Sequence, residues 1–354
     1  MSELKNQLIE FLGFESWNES MIKIGNVEIP NNIVLSPMAG VSDSPYRQIC
    51  REMGSGFAYT EFVSTDGISH HSKKSIDLFR FQKMERPISF QIFGNNLEII
   101  TEACRIIEDL GPDIIDLNMG CSVAKVSHRG SGAGLLRKPE YVGKIIESMT
   151  KAVKVPITAK IRIGWDHASL NYKEIVHVLQ ESGVQAISVH GRTKSMAYKG
   201  LADWNVIAEI KSFAKVPIFG NGDIQSYAQA KERIKTSGVD GVLIGRAAIG
   251  NPWIFAGIDK STVSFPEVRA MIFRHLSLMT DFYGEQMGLV LFRKHVSKYL
   301  RNYFGIADLR HKLVTTNSLN EFHDLLNNFE IKEFKMVSEE ENENLNCETY
   351  ASAE

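Results

Sequence analysis

Four cysteines in 354 residues, at positions 50, 104, 121 and 347, form no C-x-x-C pair. They are too few for a disulfide scaffold in a chain this long, so a reducing compartment is expected and any cysteine that matters should work as a thiol. Long apolar runs are missing as well. No stretch of eighteen apolar residues occurs, and Met1 to Glu10 carries acids and amides instead of a basic start followed by an apolar segment. A membrane anchor and a secretory leader are therefore not expected, and a cytoplasmic location is. Charge of one sign is also lacking: 40 Lys and Arg face 42 Asp and Glu, a formal net charge of -2. Six of those acids lie after Lys335 in a tail without lysine, arginine or aspartate, so the body is neutral to slightly basic. Such a balance neither demands nor forbids an RNA partner, because local patches decide binding.

What is present is a repeat of short β-branched runs and longer segments of helical period, the pattern of parallel strands with crossover helices. Eight such runs are legible, at 33–36, 57–61, 88–92, 114–118, 157–163, 186–190, 218–220 and 241–245. Eight βα units in this span predict a closed (β/α)8 TIM barrel, of class α/β, in preference to a doubly wound sheet. Residues 96–110 read as one crossover helix, stopped by Gly111-Pro112. After Asn251-Pro252 the strand pattern ends, and 265–329 has helical spacing throughout. The expected division is an N-terminal extension (1–23), the barrel (24–260), an all-α helical domain (261–335) and an acidic disordered tail (336–354).

In such a barrel the reactive groups sit where strands end. The seventh run ends in Gly220-Asn221-Gly222-Asp223 and the eighth in Gly245-Arg246, the two places where barrels commonly hold a phosphate. There glycine lets backbone N–H groups approach an anion and Arg246 can grip it. The fifth run alternates so that Thr158, Lys160 and Arg162 share the face opposite Ile157, Ala159 and Ile161. A lysine turned into a barrel needs an anion or an electron-rich acceptor, such as the N1/O2 edge of a reduced isoalloxazine. His190 and Arg192 end the sixth run, Gln91 the third, and Asn118 the fourth, with Cys121 in the loop beyond. A thiol with a free pKa of about 8.5 is mostly protonated at neutral pH and can donate a proton to a carbanion-like carbon. No metal site is expected.

With these residues assembled, the chain resembles the tRNA-dihydrouridine synthase family over about residues 24–305. The motifs are S-P-M-A-G-V-S-D (36–43), Q-I-F-G (91–94), L-N-M-G-C (117–121), K-I-R-I-G (160–164), V-H-G-R-T (189–193), G-N-G-D-I (220–224) and I-G-R (244–246). The F-R-K-H at 292–295 looks like the bacterial B-type branch.

The resemblance implies FMN as prosthetic group, with Pro37, Met38 and Ala39 lining the flavin, Gln91 and Lys160 on its ring and His190 beside them. It places Asn221, Gly222, Asp223, Gly245 and Arg246 at the phosphate end. It further implies that reduced flavin passes hydride to uracil C6, that Cys121 protonates C5 from the opposite side, and that NADPH, or NADH, reloads the flavin. Asn118, Arg162, Arg192, Arg293, Lys294 and His295 would meet the substrate. The implied substrate is tRNA, one of whose bases would have to leave its stack to enter the barrel. The segment 269–312, with eight basic against three acidic residues, would carry the RNA. No obligate protein partner is implied, and a monomer is expected. Two departures stand out: Ser122 where the family usually has proline after the cysteine, and a glycine-rich stretch, 128–136, that suggests a mobile lid. The rival readings are an FMN barrel reductase of a free pyrimidine or other small molecule, and an RNA-binding protein that has lost its chemistry.

Overall fold

The computed structural model describes residues 21–301, 303 and 305–329. The acidic tail, Cys347 and most of the N-terminal extension lie outside the described residues.

Two three-residue strands, β1 (Ile22–Ile24) and β2 (Val27–Ile29), form an antiparallel hairpin. The remaining strands form one parallel sheet: β3 (Ile33–Leu35), β4 (Ala58–Tyr59), β5 (Val63–Ser64), β6 (Ile88–Phe93), β7 (Ile114–Met119), β8 (Ile157–Arg162), β9 (Ala186–His190), β10 (Ile218–Asn221) and β11 (Gly241–Ile244). Their spatial order is β3-β11-β10-β9-β8-β7-β6-β4, with β5 also on β6. Because β4 pairs with the start of β6 and β5 with its end, these two are pieces of one barrel strand. The architecture is the (β/α)8 barrel that the sequence predicts.

Closure between β3 and β4 rests on single contacts. Gly56 N donates to Ile33 O at 2.9 Å, and Leu35 N donates to Ser55 Oγ at 2.9 Å. A Cβ on Gly56 would sit 1.8 Å from Asn31 O, so only glycine lets the two segments meet. Gly56→Ala is expected to cost about 1–3 kcal/mol through backbone displacement. A urea-unfolding midpoint equal to that of the parent would remove this closure argument.

Outward-facing residues of the strands, such as Ile115, Leu117, Ala159, Ile161, Ile187 and Val189, share one core with the surrounding helices. Those helices begin and end on local chemistry. Leu97–Glu108, for example, starts where the Asn96 side chain accepts from Ile99 N at 2.9 Å and stops before Gly111, whose φ is +78°.

The barrel interior is layered. At the bottom Ile22, Ile24 and Ile29 of the hairpin pack with Val34, Phe57, Tyr59, Ile114, Ala186, Phe219 and Leu243, so β1 and β2 plug that end. The expected boundary at residue 24 therefore cuts through β1, because the hairpin buries its isoleucines against the barrel. Above the plug lies a polar layer, in which Gln91 Nε2 donates to Asp116 Oδ2 at 2.8 Å, Thr158 Oγ1 to Asp116 Oδ1 at 2.6 Å, and the hydroxyls of Tyr59 and Ser188 lie 3.1 Å apart. The cationic residues of β8 and the ends of β9 and β10 come next.

Among the described residues, four α-helices follow the barrel: Phe265–Tyr283, Glu285–Tyr299, Ala307–Thr315 and Leu319–Asn327. Val268, Ile272, Leu276, Phe292, Val296 and Tyr299 belong to the same apolar core as the barrel helices. Three histidine nitrogens are buried there without a hydrogen-bond partner, Nε2 of His275 and both nitrogens of His295. An unpaired buried polar atom costs on the order of 1–3 kcal/mol.

Candidate active site

The C-terminal ends of the strands surround a cavity of about 990 Å³. Its floor comes from the alternation of the strands. Register sets Asn118 beside Lys160, Arg162 beside His190, and His190 beside Asn221, so inward-facing side chains of four consecutive strands form two successive tiers.

Lys160 is buried, and its Nζ donates to Asn221 Oδ1 at 3.1 Å. Burial, aided by the charge of Arg162, pulls its pKa down to about 8, against the pull of Asp116. Below that pH the floor therefore presents an ammonium that an electron-rich ligand would favour. Beneath it, burial raises the Asp116 carboxyl to about 6 although Thr158 and Gln91 donate to it and Lys160 lies near. His190 is held well below its ordinary value by burial and by the charges of Lys160, Arg162, Arg192 and Arg246, so its imidazole is neutral.

Cys121 stands in the loop after β7. Asn118 Oδ1 accepts from Gly120 N at 3.1 Å and from Cys121 N at 2.9 Å. Arg162 Nε donates to Gly120 O at 2.8 Å, and Ala133 N to Cys121 O at 3.2 Å. Four tethers thus hold the loop with serine at position 122. Burial pushes the thiol above its ordinary value, more than the Val123 N–H and the Arg162 charge pull it back. Cys121 is a protonated acid at neutral pH.

The stretch expected as a mobile lid divides in two: His128 and Arg129 are exposed, and the rest is packed. Ser131 to Leu136 are buried, and a Cβ on Gly132, at φ +55°, would come within 3.0 Å of Cys121 Cβ. These glycines let the segment pack under the cysteine loop.

At the far end of the cavity, Arg192 NH2 donates to both oxygens of Asp223 at 2.7 Å, and Ala202 N donates to Oδ2 at 2.8 Å. Burial opposes ionisation of Asp223, but these donors and the charges of Arg192 and Arg246 hold its carboxyl below the usual range. An anionic carboxylate already engaged this way orients the arginines; it is not itself a phosphate ligand. Arg246, 61% exposed in its side chain, lies 3.4 Å from Asp223 and over the Tyr198 ring at 5.1 Å. Around the Cα of Gly245, the nearest atoms to an added Cβ are Met38 Sδ and Ser36 Cβ at 3.7 and 3.8 Å, leaving its backbone open to the cavity. Pro37, Met38 and Ala39 form the wall beside it.

The cavity collects Pro37, Met38, Ala39, Asn118, Cys121, Lys160, Arg162, His190, Arg192, Asn221, Gly222, Asp223, Gly245 and Arg246 of the sequence-derived set. Four others fall elsewhere. Gln91 is fully buried below the floor, its amide spent on Asp116 and on Asn118, whose Nδ2 donates to Gln91 Oε1 at 2.9 Å; it positions the asparagine and does not meet a ring. His295 is fully buried between the barrel and the helices, so it cannot face a substrate. Arg293 NH2 donates to Thr316 O and to Asn317 Oδ1 at 3.0 and 2.7 Å, which joins two helices. Lys294 reaches Gly40 O in the loop after β3, at the barrel rim but outside the cavity. Lys298 and Arg301, one and two turns further along, line the cavity together with Lys260. Their helical spacing from Lys294 is the signal that could have found them. Phe62 and Tyr198, also in the wall, had no such signal.

The dihydrouridine synthase family model matches residues 34–336. The chain is 40% identical over 299 residues to tRNA-dihydrouridine synthase B of Pseudomonas aeruginosa, covering 82% of this chain and 90% of that one. To a probable tRNA-dihydrouridine synthase of Rickettsia conorii it is 37% identical over 299 residues, with 82% and 90% covered. Among solved structures, histamine dehydrogenase from Rhizobium sp. 4-9 superposes with a TM-score of 0.54 at 13% identity, over 73% of this chain and 50% of that one. A 2-naphthoyl-CoA reductase does so with 0.51 at 13%, over 66% and 50%. The chain thus spans about half the length of these two structures, and their likeness shows the fold alone.

Proposed function

The chain belongs to the dihydrouridine synthase family, and from that premise we propose that it reduces the C5–C6 double bond of uridines in tRNA to 5,6-dihydrouridine, using FMN and NADPH. The observation that carries this reading is a thiol kept protonated by burial at the edge of a cavity of about 990 Å³ whose floor is cationic.

The residues fit a flavin nucleotide. Lys160 would offer a cation to its electron-rich ring system, Pro37, Met38 and Ala39 would flank it, and Arg246 with the open backbone at Gly245 would take the phosphate. The chemistry that FMN would supply there, when bound and recharged by NADPH, is a hydride for C6 of the pyrimidine. Cys121 Sγ delivers the proton to C5, and its partial exposure lets solvent return that proton afterwards. Asn118 and Arg162 fix the loop so that the thiol stays at the cavity edge. Neutral His190 can donate or accept without adding charge to a site that already holds the cations of Lys160, Arg162, Arg192 and Arg246. Lys260, Lys298 and Arg301 line the same cavity from the helical side and suit the phosphates flanking an extruded base, which a reductase of free pyrimidines would not need. Among the described residues no helix is long and apolar enough to cross a membrane; we infer a cytoplasmic enzyme.

Incubation of the purified protein with NADPH and unmodified tRNA should add two hydrogens to a defined uridine, read by mass spectrometry of nuclease fragments. Reduction of free uridine or uracil with none in tRNA would overturn the RNA assignment.

A further inference from the structure

We propose that Asp43, His275 and His295 form a structural zinc site that ties the helical segment to the barrel. One ligand atom from each lies within 4.8 Å of the others, and all three residues are buried. They come from three different elements: the residue capping helix Ser44–Glu52, helix Phe265–Tyr283 and helix Glu285–Tyr299. A sequence reading offers no metal motif here, because these three positions are brought together only by packing.

The unpartnered atoms point to a ligand. His275 Nδ1 lies 3.2 Å from the Tyr299 hydroxyl, while Nε2 has no partner. A ring whose Nδ1–H donates to that oxygen has its Nε2 lone pair bare, which is the arrangement that orients a metal-binding imidazole. His295 has neither nitrogen engaged. The imidazoles sit 4.5 Å apart between centroids, with Tyr46 against both. Asp43 accepts from Tyr46 N at 3.1 Å and from the Tyr283 hydroxyl at 3.2 Å, and each carboxylate oxygen keeps further lone-pair capacity.

Two imidazoles and a carboxylate suit zinc; calcium and magnesium take oxygen ligands. Zinc bonds of about 2.0–2.1 Å set tetrahedral ligand atoms about 3.4 Å apart, within reach of small side-chain rotations from the present spacing. A water sealed in with the ion would complete the four. Because Asp43, His275 and His295 are all buried, the role of the site is to hold the fold.

The test uses full-length protein purified without metal-affinity resin. Elemental analysis should find about one zinc per chain after dialysis, and cobalt(II) exchanged into the protein should give visible bands of a tetrahedral ion. His295→Phe, which fills the same aromatic packing, should carry less than about a tenth of that zinc while keeping its circular dichroism and FMN content. Asp43→Asn, which can still cap the helix through Tyr46 N, should bind zinc at least about tenfold more weakly. Wild-type protein that contains no zinc and whose thermal midpoint does not rise with one equivalent of zinc ion overturns the site. So does His295→Phe protein that retains the full zinc content.

Discussion

Cys121→Ala should lower the rate of dihydrouridine formation by about 10²- to 10⁴-fold, the range a positioned general acid contributes. FMN content and the rate of flavin reduction by NADPH should stay at the parent values, because the thiol lies at the cavity edge and none of the cationic floor depends on it. Its loop is held through backbone atoms and the Asn118 amide, so removing the sulfur leaves the loop in place. The pH profile offers a second reading of the same group. An acid must be protonated to act, so the rate is lost as pH rises through its pKa, and burial sets that pKa above the ordinary thiol value. The parent should therefore keep its rate through neutral pH and lose it on an alkaline limb, and the residual activity of the variant should lack that limb. A variant that retains the parent rate removes the thiol from the mechanism. One that retains the limb assigns it to another group, of which Lys160, held at about 8, is the first candidate.

The barrel was legible because parallel strands buried on both faces read as short β-branched runs, and seven of the eight runs end within one or two residues of the observed strands. The second run was less clear. It breaks into β4 and β5 around Thr60 to Phe62, since different parts of it pair with β6. The hairpin of β1 and β2 escaped notice because strands of three residues are shorter than any period can be measured, although Gly25, at φ +59°, marks its turn.

At the site, alternation along β8 was enough to turn Lys160 and Arg162 inward. What it could not show is that Asp223 is claimed by Arg192, or that Gln91, Asp116 and Thr158 form a hydrogen-bonded layer, since both depend on which residues lie side by side across strands. His295 was misassigned for a different reason. It stands among Leu289, Phe292, Val296 and Tyr299, the positions that repeat every three to four residues on the buried face of their helix. Reading F-R-K-H as one motif of the family resemblance passed over that period, which separates the buried ring from half-buried Arg293 and Lys294.

The second large effect is structural and lies behind the cavity wall. Glu85→Ala should destabilise the protein by about 3–5 kcal/mol, because it strands a buried guanidinium. Arg47 and Glu85 are 1% and 0% exposed in their side chains, with Nε to Oε2 at 2.6 Å. Arg47 also donates to Ser42 O at 2.8 Å and to Arg80 O at 2.9 Å, while Glu85 accepts from Ser44 Oγ at 2.5 Å and from Gln82 N at 2.7 Å. Two of the three donors that lose the carboxylate, Arg47 Nε and Ser44 Oγ, are buried. The pair clamps the segment before β6 to the first turn of helix Ser44–Glu52, and the loop carrying Pro37, Met38 and Ala39 leads straight into that turn. Loss of the clamp should thus lower FMN occupancy along with the denaturation midpoint. The double variant Arg47→Met with Glu85→Leu separates charge from packing: with no ion left to desolvate, it should recover most of the stability of the parent. Were Glu85→Ala to unfold at the same denaturant concentration as the parent, the guanidinium would have found water or another acceptor, and the clamp would not govern the wall of the flavin cavity.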